Sequence, residues 1–88
     1  MRFQFSGTLM RFVDFQRELV IPAPTIARGL DQLVTAYPQL RNVLFTGAGT
    51  LRGTHRMFLN SEQISADDLE RAVGETDTVE ILTSIAGG

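Results

Sequence analysis

The chain has 88 residues, of which 43% are hydrophobic and 20% charged, with a formal net charge of −2 and no cysteine. This length and composition fit one globular domain with its own core, and without cysteine the chain can form neither disulfides nor thiolate metal sites. All eight basic residues are arginine, and the net charge is negative, which excludes the basic surface typical of a nucleic-acid-binding protein.

Residues 1–9, MRFQFSGTL, place apolar side chains at odd positions and polar ones at even positions, which predicts a half-buried strand. The same stretch has no long apolar run, so it predicts neither a signal peptide nor a membrane span, and we expect a cytoplasmic protein. A turn near Asp14 leads into FQRELVI, residues 15–21, the predicted second strand of a hairpin. Pro22 and Pro24 end that strand, because proline cannot continue a ladder of hydrogen bonds.

The main predicted helix begins after Thr25, a plausible N-cap. Its apolar residues recur at the spacing that puts them on one face; they are Ile26, Leu30, Leu33, Val34 and Tyr37. Pro38 is predicted to end the helix. Gly29 within it costs roughly 1 kcal/mol relative to alanine, which predicts close packing against a sheet. The glycine-rich segment 41–53, RNVLFTGAGTLRG, predicts a loop or a short strand.

Three further elements are predicted in the last third of the chain: a strand at HRMFLN (55–60) followed by a turn, a short helix at SADDLERAV (65–73) and a final strand at DTVEIL (77–82). Ser65 and Asp68 form a weak version of a capping box at the start of the short helix. Leu69, Ala72 and Val73 are predicted to point inward from it.

This order of elements predicts an α+β fold, with one mixed sheet packed on one main helix. The final strand is expected beside the first and parallel to it, because both are strongly patterned and would otherwise expose edges. That arrangement is the β-grasp, although the order alone also fits other small α+β folds. We expect a β-grasp domain over residues 1–82 and an extended tail over residues 83–88.

Few side chains suggest chemistry of their own. His55 is the single histidine, has no partner at metal-ligand spacing, and is predicted to lie on the surface. Asp67, Asp68 and Glu70 predict a solvated helix start rather than a metal site. The GAGTLRG segment, 47–53, lacks the strand-to-helix context and the lysine of a phosphate-binding loop. The sequence therefore predicts no metal site and no bound cofactor.

The tail TSIAGG ends in Gly87 and Gly88. Two terminal glycines occur by chance in roughly 0.5% of chains at average glycine usage, so the pair alone is a weak signal. It gains weight from the predicted fold and from a final strand that ends six residues earlier. A frayed end without function is the structural alternative.

With these elements in place, the chain resembles the ubiquitin-like sulfur-carrier proteins of the MoaD, ThiS and CysO type. HRMFLNSEQI resembles their strand-turn-strand, IAGG their small-residue tail, and ETDTVEIL their acidic turn into the last strand, with Asp77 and Val79 in the characteristic places. Thr83 and Ser84 stand where many of these carriers have proline. This departure bears on the pathway and the partner rather than on the fold.

The resemblance implies that Gly88, with Gly87 before it, is the reactive end of the protein. An E1-like adenylating enzyme would use ATP and magnesium to activate the carboxylate of Gly88. A sulfur donor, such as a rhodanese or a persulfide-bearing desulfurase, would then convert it to a thiocarboxylate, and a downstream synthase would accept the sulfur. The protein would be a cosubstrate rather than an enzyme.

The body would dock on the activating enzyme through an exposed apolar patch. Leu82 and Ile85 are the first candidates, and in the family the position matching Leu82 contacts that enzyme. Leu69 and Phe58 are further candidates that ordinary core packing would also explain. The pathway stays open among pterin, thiamine, cysteine, thiolated tRNA and natural-product synthesis.

Two other functions remain compatible with the sequence. The first is a ubiquitin-like modifier joined through Gly88 to lysines of target proteins. The second is a β-grasp interaction domain whose tail is incidental. Since the chain contains no lysine, we expect no lysine-linked polymers of the protein itself.

Overall fold

The computed structural model describes residues 1–47, 49, 52 and 55–83. The elements in this part of the chain are β1 (Arg2–Phe5), α1 (Gly7–Met10), β2 (Glu18–Val20), α2 (Ile26–Ala36), α3 (Gln39–Leu44), β3 (His55–Leu59), β4 (Glu62–Ile64), a 3-10 turn (Ala66–Asp68) and β5 (Thr78–Thr83). The sheet has the order β2-β1-β5-β3-β4. β5 is parallel to β1, and the other neighbouring pairs are antiparallel. The predicted β-grasp arrangement is confirmed.

The core lies between one face of the sheet and the helices. Phe3 and Phe5 of β1 and Val79 and Ile81 of β5 are buried on this face, together with the apolar side of α2. Among the described residues no polar or charged residue is buried in this core. None of the helices in the described ranges is long and apolar enough to cross a bilayer.

The first strand is shorter than predicted. β1 ends at Phe5, and Ser6 becomes the N-cap of α1, so Leu9 belongs to a single helical turn rather than to the strand. Leu9 is still buried, because the turn brings its side chain back onto the core. The odd-even pattern therefore predicted the burial of Leu9 correctly, but it predicted a strand where the backbone is helical.

The predicted turn near Asp14 is confirmed, and it also shortens the second strand. Asp14 and Phe15 have φ angles of 56° and 60°, in the left-handed region. Such angles interrupt a strand, and β2 accordingly begins at Glu18 rather than at Phe15. β2 pairs with β1 as the predicted hairpin.

Helix α2 follows the sequence prediction closely. The side-chain oxygen of Thr25 accepts a hydrogen bond from the backbone N–H of Arg28, at 3.2 Å. Gly29 is buried against β1: a Cβ atom built on it would lie 3.2 Å from Sδ of Met1 and 3.2 Å from Cε2 of Phe3. Close packing of the helix on the sheet at Gly29 is confirmed.

The segment after α2 differs from the prediction of a loop or short strand. Pro38 is the N-cap of a further helix, α3. Its missing N–H costs nothing there, because the first N–H groups of a helix have no partner within the helix. Leu40 and Leu44, four residues apart, are buried on one face of α3.

The short helix predicted over 65–73 is reduced to one 3-10 turn. Its capping box is confirmed: the backbone N–H of Ser65 donates to Oδ2 of Asp68 at 2.9 Å. Beyond the turn the chain runs along the start of α2, and the N–H of Ala27 donates to the carbonyl of Leu69 at 2.8 Å. Leu69 and Val73 pack against the core as predicted, whereas Ala72 is exposed.

Candidate functional site

The sheet has a second face, turned away from the helices, which we call the outer face. Side chains alternate along a strand, so the outer face carries the residues between the buried ones. These are Arg2, Gln4, Glu18, Val20, Arg56, Phe58, Gln63, Thr78, Glu80 and Leu82. The strand register aligns five of them in one row across the sheet, in the order Glu18, Gln4, Glu80, Phe58 and Gln63.

Leu82 and Phe58 form an apolar centre on the outer face. Leu82 lies on β5, the middle strand, directly opposite Arg56 of β3. Phe58 is two residues farther along β3, which makes it a diagonal neighbour of Leu82 on the same face. Both side chains are half-buried. The fold thus brings together these two predicted partner-binding residues.

Charged and polar groups surround this apolar centre. Nε of Arg2 lies 3.6 Å from a carboxylate oxygen of Glu18, in an exposed ion pair. Arg56 and Glu80 stand beside the centre on β3 and β5. An apolar centre within a polar rim is the usual composition of a surface that binds another protein.

Leu69 lies elsewhere. It packs against the core next to the start of α2, and its backbone carbonyl is held by the N–H of Ala27. It is therefore not part of the outer face with Phe58 and Leu82. The core packing considered for it from the sequence accounts for its position.

The root of the C-terminal tail lies at one end of β5. The strand extends through Thr83, which the sequence had assigned to the tail. The backbone N–H of Thr83 donates to the side-chain oxygen of Ser6 at 3.4 Å. The predicted site residues Ile85, Gly87 and Gly88 lie outside the described residues.

His55 is half-buried at this root, so the prediction of a surface histidine was wrong. Its Nε2 lies 2.6 Å from the backbone carbonyl of Val43, and its Nδ1 lies 3.4 Å from the hydroxyl of Thr83. Because a carbonyl only accepts, Nε2 must carry the hydrogen, and in the neutral ring Nδ1 accepts from Thr83. Neither hydrogen-bond partner of His55 was predicted from the sequence, because neither helix α3 nor the register between β3 and β5 was predicted.

The acidic turn before β5 is held in place by hydrogen bonds to the Asp77 carboxylate. Nδ2 of Asn60 donates to Oδ1 of Asp77 at 2.9 Å, and the N–H of Gly74 donates to Oδ2 at 2.7 Å. The Asn60 side chain first, and the Gly74 amide second, hold the pKa of Asp77 below its usual value. Val79, the other residue in this stretch that carried the family resemblance, is buried in the core.

In the part of the chain that the structure describes, no group of three histidine, cysteine or acidic side chains could hold a metal ion. The outer face presents an apolar centre, and β5 leads from that centre to Thr83.

No protein-family model matches the chain, and no curated protein matches it either. Solved structures do. SAMP1 of Haloferax volcanii is 23% identical, with a TM-score of 0.86 over 100% of this chain and 98% of the other. A chain of the BexX/CysO complex of Amycolatopsis orientalis is 20% identical, with a TM-score of 0.83 over 99% and 98%.

CysO of Mycobacterium tuberculosis is 18% identical, with a TM-score of 0.81 over 96% of this chain and 98% of the other. These identities are low, and the likeness is one of fold along nearly the whole length of the chains. The protein therefore has the ubiquitin-like β-grasp fold of SAMP1 and the CysO proteins, which confirms the resemblance read from its sequence at the level of fold.

Proposed function

We propose that this protein is a sulfur carrier whose Gly88 carboxylate is adenylated by an E1-like enzyme and then converted to a thiocarboxylate. The observation that carries the proposal is the position of β5. This strand is the middle of the sheet, presents Leu82 at the apolar centre of the outer face, and leads directly into residues 84–88. The likeness in fold to CysO supports it.

The chemistry needs a partner because a carboxylate is a poor electrophile. An oxygen of the Gly88 carboxylate attacks the α-phosphorus of ATP, pyrophosphate leaves, and an acyl-adenylate results. Hydrogen sulfide then attacks the carbonyl carbon, AMP leaves with the electrons of the carbon–oxygen bond, and loss of the proton from sulfur leaves the thiocarboxylate. The partner enzyme supplies ATP, magnesium and the groups that stabilise the developing charge. This chain supplies the acyl group and the docking surface.

The tail is long enough for this role. Five residues follow Thr83, the last described residue of β5, and at about 3.3 Å per extended residue they would span roughly 17 Å. Gly88 can then enter an active site while the folded body stays outside. Gly87 and Gly88 have no Cβ, so the partner's backbone can pass close to them.

The proposed docking surface is the apolar centre of the outer face, Leu82 and Phe58, and Ile85 of the tail is a further candidate for contact with the partner. Burying two such side chains against a partner contributes about 25 cal/mol per Å² of apolar surface removed from water. Arg56 and Glu80 would set the orientation through charge complementarity with the partner.

The test is intact mass spectrometry of the protein after incubation with a candidate E1-like enzyme, ATP, magnesium and sulfide. We expect a mass change equal to the exchange of one oxygen for sulfur, located on the C-terminal peptide. The matched control lacks Gly87 and Gly88, and it should remain unmodified while keeping the melting temperature of the parent chain. An unchanged mass with enzymes that modify their own carriers would contradict the proposal.

A second candidate function is a protein modifier joined through Gly88 to lysines of targets. It is favoured by the likeness to the small archaeal modifier protein 1. The two functions share the activation step, so the products decide between them. Covalent adducts on lysines of other proteins, with no thiocarboxylate detectable, would establish the modifier. Polymers linked through this chain's own lysines are not expected in either case, because it has none.

A further inference from the structure

We infer that Ser6 and His55 form a bracket around Thr83 that fixes this last described residue of β5, from which the tail continues. Both are positioning residues, since they act through Thr83 and not on the reacting carboxylate. The bracket itself is a property of the folded chain. Its consequence for activation rests on the proposed function.

The first contact of the bracket, made by Ser6, takes the place of a backbone hydrogen bond between β1 and β5. β1 pairs with β5 only as far as Phe5 opposite Ile81, and the N–H of Ser6 donates to the Ile81 carbonyl at 3.1 Å. Beyond Ser6 the chain turns into α1, so β1 offers no further backbone acceptor to β5. The Ser6 hydroxyl takes over this role by accepting from the N–H of Thr83 at 3.4 Å.

The second contact of the bracket, made by His55, lies on the other side of β5, toward β3. His55 is paired with Thr83 in the β3–β5 ladder, and its Nδ1 lies 3.4 Å from the Thr83 hydroxyl. The ring is oriented by the short bond from Nε2 to the carbonyl of Val43, at 2.6 Å. The last described residue of β5 is thereby held through both its backbone and its side chain.

The two contacts with Thr83 are long for hydrogen bonds, and each is expected to contribute modestly. Their combined effect is on Thr83, the last described residue of β5. If these contacts were lost, Thr83 would become free, and a partner would have to order one more residue when it binds. That ordering costs conformational entropy. The bracket would therefore lower the KM for activation rather than raise kcat.

The structural test uses the isolated protein and two substitutions. Ser6→Ala removes the acceptor of the Thr83 N–H, and we expect that amide to exchange with solvent about two- to tenfold faster. Thr83→Val removes the donor to His55, and we expect the ¹⁵N resonance of Nδ1 to shift. Thr35→Val, the same change on the exposed side of α2, is the matched control and should alter neither signal.

Ser6→Thr keeps the hydroxyl and should restore slow exchange at Thr83. This rescue assigns the slow exchange to the Ser6 hydroxyl, which makes no capping hydrogen bond to α1. Normal exchange in Ser6→Ala, or an unmoved Nδ1 resonance in Thr83→Val, would overturn the bracket.

The functional test measures pyrophosphate release by the adenylating enzyme as a function of carrier concentration. We expect Ser6→Ala and Thr83→Val to raise KM about two- to tenfold with kcat unchanged, and Thr35→Val to leave both constants unchanged. Faster exchange with an unaltered KM would overturn the positioning role. If the parent chain is not adenylated at all, the proposed function fails, while the exchange data still decide whether the bracket exists.

Discussion

A single residue, Asp77, ties three segments of the chain together through its carboxylate and its backbone carbonyl. Its oxygens accept from the Asn60 side chain and from the Gly74 amide, and its backbone carbonyl accepts from the N–H of Arg2 at 2.9 Å. The Asn60 side chain completes the contact, because its Oδ1 accepts from the N–H of Thr78 at 3.0 Å. The β3–β4 turn is thus linked to the start of β5.

We expect Asp77 to make stability depend on pH in the acid range. Its pKa is lower in the folded chain than the ordinary value of 3.8, so the ionised form stabilises the fold above that value. This contribution is lost as pH falls through the lowered pKa. Urea unfolding from neutral to strongly acid pH should show a steeper loss for the parent chain than for Asp77→Asn. Glu75→Gln, an exposed carboxylate in the same turn, is the control and should keep the parent slope.

Gly29 gives a second prediction at the scale of one residue. Alanine would improve helix propensity by roughly 1 kcal/mol, but its Cβ would press on Met1 and Phe3 in the core. Overpacking of a core costs about 1–3 kcal/mol, so we expect Gly29→Ala to lower the free energy of unfolding by about 1 kcal/mol. Gly7→Ala, in α1, where an added Cβ would meet no atom within 4 Å, is the control for propensity. A gain in stability for Gly29→Ala would show that the helix can move away from the sheet.

At the scale of elements, the β3–β4 hairpin has an unfavourable residue in its turn. Leu59 pairs with Glu62, which leaves a two-residue turn of Asn60 and Ser61. Their φ angles are 50° and 73°, as a type I′ turn requires. Asparagine tolerates this region, whereas a residue such as serine pays a steric cost that glycine avoids.

We expect Ser61→Gly to stabilise the protein. Relief of the left-handed conformation contributes about 1–2 kcal/mol, and the greater freedom of glycine in the unfolded chain offsets about 0.4–1 kcal/mol. The net gain of about 0.5 kcal/mol corresponds to a rise of a few degrees in Tm, measurable by calorimetry. Ser61→Ala is the matched control, since alanine keeps the strain, and an equal gain there would refute the explanation.

The elements also show where sequence patterns fail. α2 was predictable because its cap, its apolar spacing and its ending all agree. α3 was not, since Pro38 indicates an end as readily as a start, and only Leu40 and Leu44 mark its buried face. The helix predicted after the 3-10 turn does not form, because the backbone there makes hydrogen bonds to the start of α2 instead. These are long-range contacts, which local helix propensity cannot predict.

For the whole molecule, the β1–β2 hairpin, the parallel pairing of β5 with β1 and the place of Leu82 on the outer face could be predicted. The alternation in β5 puts Leu82 on the face away from the buried Ile81, whereas Phe58 comes beside Leu82 only through the β3–β5 register, which the sequence pattern does not show. The root of the tail could not be predicted. The contacts of His55 with Thr83 and Val43 depend on a strand register and on a helix that the sequence pattern does not show.

The outer face yields the prediction that belongs to this scale. Leu82→Asp places a charge at the apolar centre, and we expect it to weaken binding to the adenylating enzyme about 30-fold, as loss of a central contact does. Val20→Asp is the matched control: Val20 is 69% exposed on the same face, but on the edge strand β2. Calorimetric titration of both variants, with melting curves as the check on folding, tests the difference. Equal binding of both would place docking on another surface.

The position of β5 has a consequence for how the protein is made. The ribosome synthesises the middle strand of the sheet last among the five that the structure describes. Until residues 78–83 emerge, the β1–β2 hairpin and the β3–β4 hairpin have no strand between them, and an isolated hairpin is marginally stable at best. A nascent chain that stalls before Thr78 therefore exposes the inner edges of both hairpins, and folding is completed by the segment that leads into the tail.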